Sequence, residues 1–167
     1  MPAYAEALSA LSSGGRVARD DVRRWIDSGD LLTWSVVYAL SERAELAADE
    51  QAEFTRRYLL RCIEENPPPG EHLHGGYEAA WELASVLKQW RRQGGRIAAT
   101  VRGVALDLEK IYRRGEPATQ NRILCGVMEH AFEDPALRPY FVDWERDPDL
   151  RDAYKLAVEW GDEHESG

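Results

Sequence analysis

The chain has 167 residues, of which 44% are hydrophobic and 31% are charged, and its formal net charge is −9 at pH 7. This size and balance are typical of a globular domain and exclude a disordered chain. No apolar run approaches the roughly 20 residues that cross a bilayer, so no membrane association is expected. The N-terminus from Met1 to Glu6 lacks the basic and apolar stretches of a secretion signal, which predicts a cytoplasmic protein.

Apolar residues follow a helical period along almost the whole chain, and no segment alternates as a half-buried strand does. The clearest stripe begins at Ile97 and continues through Val101, Val104, Ala105, Leu108, Ile111 and Tyr112. This pattern predicts an all-α fold, a compact bundle or short stack of antiparallel helical hairpins with about 7–9 helices.

The N-terminal region is predicted to hold four helices, over residues 4–11, 19–27, 31–47 and 50–64. Asn66-Pro67-Pro68-Pro69-Gly70 follows them and cannot be helical, because proline lacks the backbone donor that a helix needs. We interpret this segment as a connector inside one domain, residues 1–167. The domain then consists of an N-terminal helical region (residues 1–65), a proline-rich connector (residues 66–76) and a C-terminal helical region (residues 77–163).

The C-terminal region is predicted to contain helices over residues 77–90 and 97–112, separated by Gly94-Gly95. Gly115-Glu116-Pro117 ends the second of these and starts a third helix, whose apolar stripe runs from Ile123 to Phe132. Asp134-Pro135 and Asp147-Pro148 are both helix-start signals. The first is followed by Pro139, which predicts a turn and then a short helix over 139–144. The second predicts a helix from Pro148 to Trp160 that ends at Gly161.

Two cysteines, Cys62 and Cys125, occupy apolar positions of predicted helices. They are expected to be free buried thiols, which remain reduced in the cytoplasm. No catalytic residue can be assigned, because the chain has no Gly-x-Ser-x-Gly elbow and no phosphate-binding glycine loop.

The histidines suggest the one alternative that involves metal binding or catalysis. Glu71-His72-Leu73-His74 would direct two imidazoles the same way from an extended segment, and His130 lies in Glu129-His130-Ala131-Phe132-Glu133. Neither set completes the four ligands of a structural zinc site or the doubled Glu-x-x-His of a di-iron bundle. A helical metal-dependent enzyme or metal-binding domain that uses His72, His74 or His130 is therefore an alternative, while the main expectation is no metal and no cofactor.

Charge is concentrated near the C-terminus. Residues 129–167 contain 12 acidic and 4 basic residues, a net charge of −8, against 18 and 17, a net charge of −1, in residues 1–128. Such a field attracts a basic protein and repels a phosphate backbone, so direct nucleic-acid binding is not expected despite the short basic cluster from Lys88 to Arg96. The predicted partner-binding residues are Glu133, Asp134, Asp143, Trp144, Glu145, Asp149, Asp152, Trp160, Asp162 and Glu163.

The same region carries a recognisable pattern of residues. It comprises Leu124, Glu129-His130-x-Phe132-Glu133, Leu137, Phe141, Trp144, Asp147-Pro148-x-Leu150, Ala153-Tyr154 and Trp160-Gly161. The pattern, which covers residues 124–161, resembles an uncharacterised all-helical domain family of bacterial proteins associated with toxin–immunity neighbourhoods. The resemblance implies a binding role and assigns no activity to any residue.

The sequence thus favours a non-enzymatic protein-interaction domain. One form of this hypothesis is a bacterial immunity protein that binds a basic partner, such as a toxin, through its acidic C-terminal surface. A scaffold or regulatory domain built of helical hairpins is a further alternative, because such domains also lack catalytic motifs.

Overall fold

Helices form nearly all of the regular structure in the computed structural model, which describes residues 2–165. The α-helices are α1 Pro2–Ser13, α2 Arg19–Asp27, α3 Leu31–Ala39, α4 Ala48–Glu65, α5 Gly76–Gln93, α6 Gly95–Arg114, α7 Pro117–Asn121, α8 Glu129–Ala131, α9 Val142–Arg146 and α10 Arg151–Glu163. Short 3-10 helices cover Ser41–Arg43 and Pro135–Phe141. Met1, Ser166 and Gly167, which end the expected domain 1–167, lie outside the described residues.

A π-helical segment, Arg122–Met128, joins α7 to α8 without a break. When these three pieces are taken as one helix, residues 2–165 contain nine helices besides the two short 3-10 helices, and no β-strand. The prediction of an all-α bundle of about 7–9 helices is therefore confirmed.

The buried residues form one continuous cluster that extends from Ala7 to Ala157. Its centre is α5, which packs against α4, α6 and the π-helical segment. Arg122 is buried there at 5% exposure, and its Nε donates to the Ile63 carbonyl oxygen at 2.9 Å. The negative end of the α4 dipole thus stabilises this guanidinium, for which no carboxylate partner is found among residues 2–165.

The predicted helix over 31–47 is wrong in its second half, because α3 ends at Ala39. Beyond it, the chain pairs with the segment after α1. The Val17 amide donates to the Arg43 carbonyl oxygen at 2.8 Å, and the Glu45 amide donates to the Val17 carbonyl oxygen at 2.9 Å. The Arg43 guanidinium also donates to the Leu11 carbonyl oxygen at 3.0 Å, near the end of α1. These long-range bonds hold the backbone extended where local propensity favoured a helix.

The C-terminal elements also differ from their predicted bounds. The Asp134-Pro135 phrase opens a 3-10 helix rather than a turn, with the Asp134 side chain accepting from the Ala136 amide at 3.1 Å. The last helix begins at Arg151 instead of Pro148, and it continues through Gly161 to Glu163.

Gly161 is therefore a packing residue and not a stop. A Cβ atom at this position would lie 2.7 Å from the carbonyl carbon of Phe132, so only glycine lets α10 approach the end of α8 this closely. Gly126 plays the same part between the π-helical segment and α5, since a Cβ there would lie 2.6 Å from the Ala80 Cβ. The two glycines set the separations of α5, α8 and α10.

We expect Gly161→Ala to destabilise the protein by about 1–3 kcal/mol, because the added methyl group meets backbone that cannot move aside. In a domain of this size each kcal/mol lowers the Tm by about 2–4 °C. Thermal unfolding followed by circular dichroism measures the change. Gly103→Ala is the matched control, because its Cβ meets only the movable Arg56 guanidinium. Equal Tm values for the two variants would contradict the packing role of Gly161.

Candidate functional site

Many of the C-terminal acids are neutralised from outside their own segment. Lys88 Nζ lies 2.9 Å from Glu133 Oε1, and an Arg91 nitrogen lies 2.6 Å from Asp134 Oδ2. The other pairs that reach back to α6 are Arg102 with Asp143 at 3.6 Å, and Arg113 with both Asp147 and Asp149. The charge of −8 that the sequence places in residues 129–167 is thus partly offset by four bases from α5 and α6.

This pairing also gives the basic cluster on α5 a structural role. Lys88 and Arg91 begin the one local sequence pattern that favoured a nucleic acid. Both side chains donate hydrogen bonds to carboxylates, Lys88 to Glu133 and Arg91 to Asp134. Asp134 itself is only 5% exposed. Asp134 therefore fixes the start of the Pro135–Phe141 helix to α5 and is not available as the predicted partner contact.

Trp144, also predicted as an anchor for a partner, is a core residue. It is 1% exposed, and its indole nitrogen donates to the Ala105 carbonyl oxygen at 3.2 Å. Its ring packs edge-on against Tyr112 with 5.3 Å between centroids. A partner could reach it only after local unfolding, so the prediction for Trp144 is corrected.

The remaining predicted contacts lie nearer the solvent. Glu145, Asp152 and Glu163 are exposed and form no ion pair within residues 2–165, whereas Asp162 is exposed and pairs with Arg138 at 2.8 Å. Glu159, which was not among the predicted contacts, is exposed and unpaired in the same range. The acidic surface is consequently narrower than the sequence predicted, and its unpaired members lie on α9 and α10.

A row of aromatic side chains borders this acidic surface, and we call it the aromatic strip: Tyr77, Trp81, His130, Trp160 and His164. Successive ring centroids are separated by 6.2, 6.5, 6.3 and 4.0 Å. The strip runs from α5 across α8 to the end of α10. Trp81 is 53% exposed and Tyr77 is 38% exposed, and Leu156, one helical turn before Trp160, is 52% exposed. A contiguous apolar surface of this kind is typical of an interaction site.

A depression of about 350 Å³ lies at the centre of the strip. Its walls are Trp81, Ala84, Ser85, Lys88, His130 and Glu133. Burial tends to raise the pKa of Glu133, but Lys88 and then His130 outweigh it, so the pKa of this carboxyl lies below its usual value. Glu133 is therefore an ionised group held between two bases.

Ser85, His130 and Glu133 are the residue types of a catalytic triad, in which a serine is the nucleophile, a histidine the base and a carboxylate its partner. His130 Nδ1 lies 3.5 Å from Glu133 Oε2. Within residues 2–165, however, Ser85 forms no hydrogen bond to His130, and the imidazole ring meets Trp81 and Trp160 edge-on. The arrangement lacks the contact that activates a serine.

Glu129 lies beside the strip in an environment that disfavours its charge. Burial raises the pKa of its carboxyl, although His130, the Cys125 thiol and His164 oppose the rise. Burial, followed by Glu129 itself, raises the pKa of Cys125 as well. The carboxylate form of Glu129 is thus less stable here than it would be in water.

The second pair of histidines belongs to a separate cavity of about 430 Å³ between α3, the Ser41–Arg43 turn and the connector. His74 Nδ1 lies 2.8 Å from the Tyr58 hydroxyl, and its ring packs edge-on against Tyr38 and Tyr58. His72 Nε2 lies 3.8 Å from Glu71. Among the described residues, no group of three or more His, Cys, Asp or Glu is arranged to hold a metal ion.

The thiols differ in their surroundings. Cys62 is buried, and burial raises its pKa to about 12, so it stays protonated and unreactive. Cys125 is only half-buried, which differs from the predicted burial. Both are free thiols, as predicted.

Comparisons with known proteins found no match to the chain. The chain matches no family model, no curated protein and no solved structure. The resemblance of residues 124–161 to a bacterial immunity-associated family therefore stays a prediction. Within residues 2–165, no helix is long and apolar enough to cross a membrane.

Sequence reasoning missed the exposed part of the strip. Trp81 falls in an apolar stripe with Ala80 and Ala84, which predicts a core position, yet α5 has apolar residues on more than one face. The number of apolar faces on α5 could have predicted the exposure of Trp81. A central helix that packs against three neighbours has a fourth side left for solvent or a partner.

The position of Glu129 predicts the direction of a pH effect. Its folded pKa is raised, so the native state binds its proton more tightly than the unfolded state does, and stability falls as pH rises through this titration. We expect Glu129→Gln to be more stable than the wild type at pH 7, and this advantage to shrink at pH 4. Urea denaturation at both pH values measures it.

Glu159→Gln is the control, because Glu159 is exposed on α10. Its effect on the free energy of unfolding should be small at both pH values. An advantage of Glu129→Gln that grows as the pH is lowered would contradict the assignment.

Proposed function

We propose that the chain is a non-enzymatic protein-interaction domain that binds a basic protein partner through its acidic C-terminal surface. The observation that carries the proposal is the juxtaposition of two features. Unpaired exposed carboxylates lie on α10, the helix that also carries Trp160 of the aromatic strip.

The two features would contribute differently to binding. Exposed acids at the rim of an interface speed association, and their effect weakens with salt, because their fields are screened over about 10 Å at 0.1 M ionic strength. Aromatic side chains supply affinity, because they are enriched among the few interface residues that dominate binding energy. The surface offers both kinds of group on neighbouring elements.

An immunity protein is the specific form of this proposal that we favour. The resemblance of residues 124–161 points to a toxin–immunity setting, and an inhibitor of a basic toxin needs an acidic surface and no catalytic group. Two free thiols are compatible with the bacterial cytoplasm, which keeps cysteines reduced. The scaffold alternative also predicts a binding surface but does not require an acidic one.

The test is a triple charge reversal, Asp152→Lys, Glu159→Lys and Glu163→Lys. Partners are captured on the wild-type chain from its bacterial host and identified by mass spectrometry. The association rate of each purified partner is then measured at low salt. We expect the reversal to slow association by tenfold or more and to leave the Tm nearly unchanged, because these acids make no ion pair within residues 2–165.

A matched triple reversal elsewhere separates local charge from net charge. Asp27→Lys, Glu71→Lys and Glu116→Lys changes the charge by the same amount at exposed positions outside the acidic surface. This control should slow association much less. Equal slowing by both variants would show that only the net charge matters and would contradict the proposed surface.

A further inference from the structure

We propose that the aromatic strip is the docking groove for one basic amphipathic α-helix of the partner. The apolar side chains of that helix would lie on Tyr77, Trp81, His130 and Trp160. Its lysines or arginines would face Glu129, Glu159 and Glu163. This inference rests on the proposed function and names the part of the partner that the surface recognises.

The spacing of the strip fits successive turns of a helix. The first three centroid separations are 6.2, 6.5 and 6.3 Å. Side chains one turn apart on a helix are about 5–6 Å apart, so apolar residues at positions i, i+4 and i+7 can each meet one step of the strip. The depression of about 350 Å³ between Trp81 and His130 receives the central side chain.

An extended segment has a similar spacing, about 6.6–6.8 Å between residues i and i+2. A strand, however, needs a free sheet edge to satisfy its backbone donors and acceptors. The β pairing found in residues 2–165 is one isolated bridge between Val17 and Ala44, far along the chain from the strip. A helix satisfies its own backbone hydrogen bonds and is the occupant that this all-helical surface can accept.

The charges beside the strip determine the charge of the occupant. Glu159 and Glu163 follow Leu156 at helical intervals, so these three residues share the outward side of α10 next to Trp160. Glu129 lies near His130 and His164 at the other border of the strip. Lys88, which lines the depression, is already paired with Glu133, and Arg138 is paired with Asp162. An apolar row with acids along its sides is complementary to an apolar helix face flanked by bases.

Within residues 2–165, the indole nitrogen of Trp160 is an unsatisfied hydrogen-bond donor within the strip. It is buried and has no hydrogen-bond acceptor among the described residues. A buried donor without an acceptor is unfavourable, so this ring is held in place at a cost to stability. Trp160 is stacked on His164 at 4.0 Å, which fixes the ring as the far wall of the groove.

The probes for the test are two designed helical peptides of about 18 residues, which is about 27 Å when helical. Both carry leucine at positions i, i+4 and i+7. They differ only at their charged positions, which are all lysine in one peptide and all glutamate in the other. We expect the lysine peptide to bind the full chain, with an affinity that falls as salt rises, and the glutamate peptide not to bind. Isothermal titration calorimetry gives both affinities.

Substitutions locate the binding site. Trp81→Ala should weaken binding of the lysine peptide tenfold or more, as expected of an exposed aromatic anchor. Trp81→Phe should retain most of the affinity and lose the part of the blue shift in tryptophan emission that comes from covering Trp81. Leu106→Ala is the matched control, because Leu106 is 40% exposed on α6, and it should bind as the wild type does.

Three results would overturn the inference. The first is equal binding of the two peptides, and the second is unchanged binding by Trp81→Ala. The third is a dimer in sedimentation velocity that Trp81→Ala dissociates, because a second copy would then be the occupant. If the charge reversals slow the natural partner while Trp81→Ala changes neither peptide binding nor the partner's dissociation rate, the helix groove fails and the proposed function stands. If the peptide binds through Trp81 while no partner depends on the acids, the proposed function fails instead.

Discussion

The closeness of three helix backbones is the constraint on which the surface depends. Gly126 brings the π-helical segment against Ala80 of α5, and Gly161 brings α10 against the Phe132 carbonyl group. Rings on α5, α8 and α10 lie in one row only because these backbones approach each other so closely. The core below and the aromatic strip above are therefore positioned by the same two contacts, and a change that spreads the helices would alter both.

Electrostatics divides the acids of this region into two groups. Glu133, Asp134, Asp143, Asp147 and Asp149 bind cations of α5 and α6, and so fasten the C-terminal elements to the centre of the bundle. Exposed pairs among them add little stability, whereas loss of Arg91 would leave the buried Asp134 carboxylate without its cation and would be costly. The unpaired acids have no such structural use, which is why they carry the functional argument.

The sequence predicted the helical class and most element centres, because 3.6-residue periodicity and local stop signals are properties of single segments. The helix Arg19–Asp27 was predicted with its observed bounds, and α5 and α6 within a few residues. The errors came from contacts between distant segments. Pairing with Val17 holds the chain extended at Ala44, after the 3-10 helix Ser41–Arg43, and the close approach of Phe132 makes Gly161 a packing residue. For the same reason, neither the pairing of Arg91 with Asp134 nor the burial of Trp144 could be read from a charge count.

The π-helical segment has a consequence for the orientation of the residues that follow it. Hydrogen bonds from i to i+5 accommodate one more residue per turn than an α-helix does, and such segments are rare and often near functional sites. If the seven residues Arg122–Met128 took ordinary α-helical geometry without losing a residue, everything after them would rotate by about 100°. His130 would leave the surface row and Phe132 would leave the core together. The π-helical geometry of this segment therefore compensates for its length, and the two together keep His130 in the surface row and Phe132 in the core.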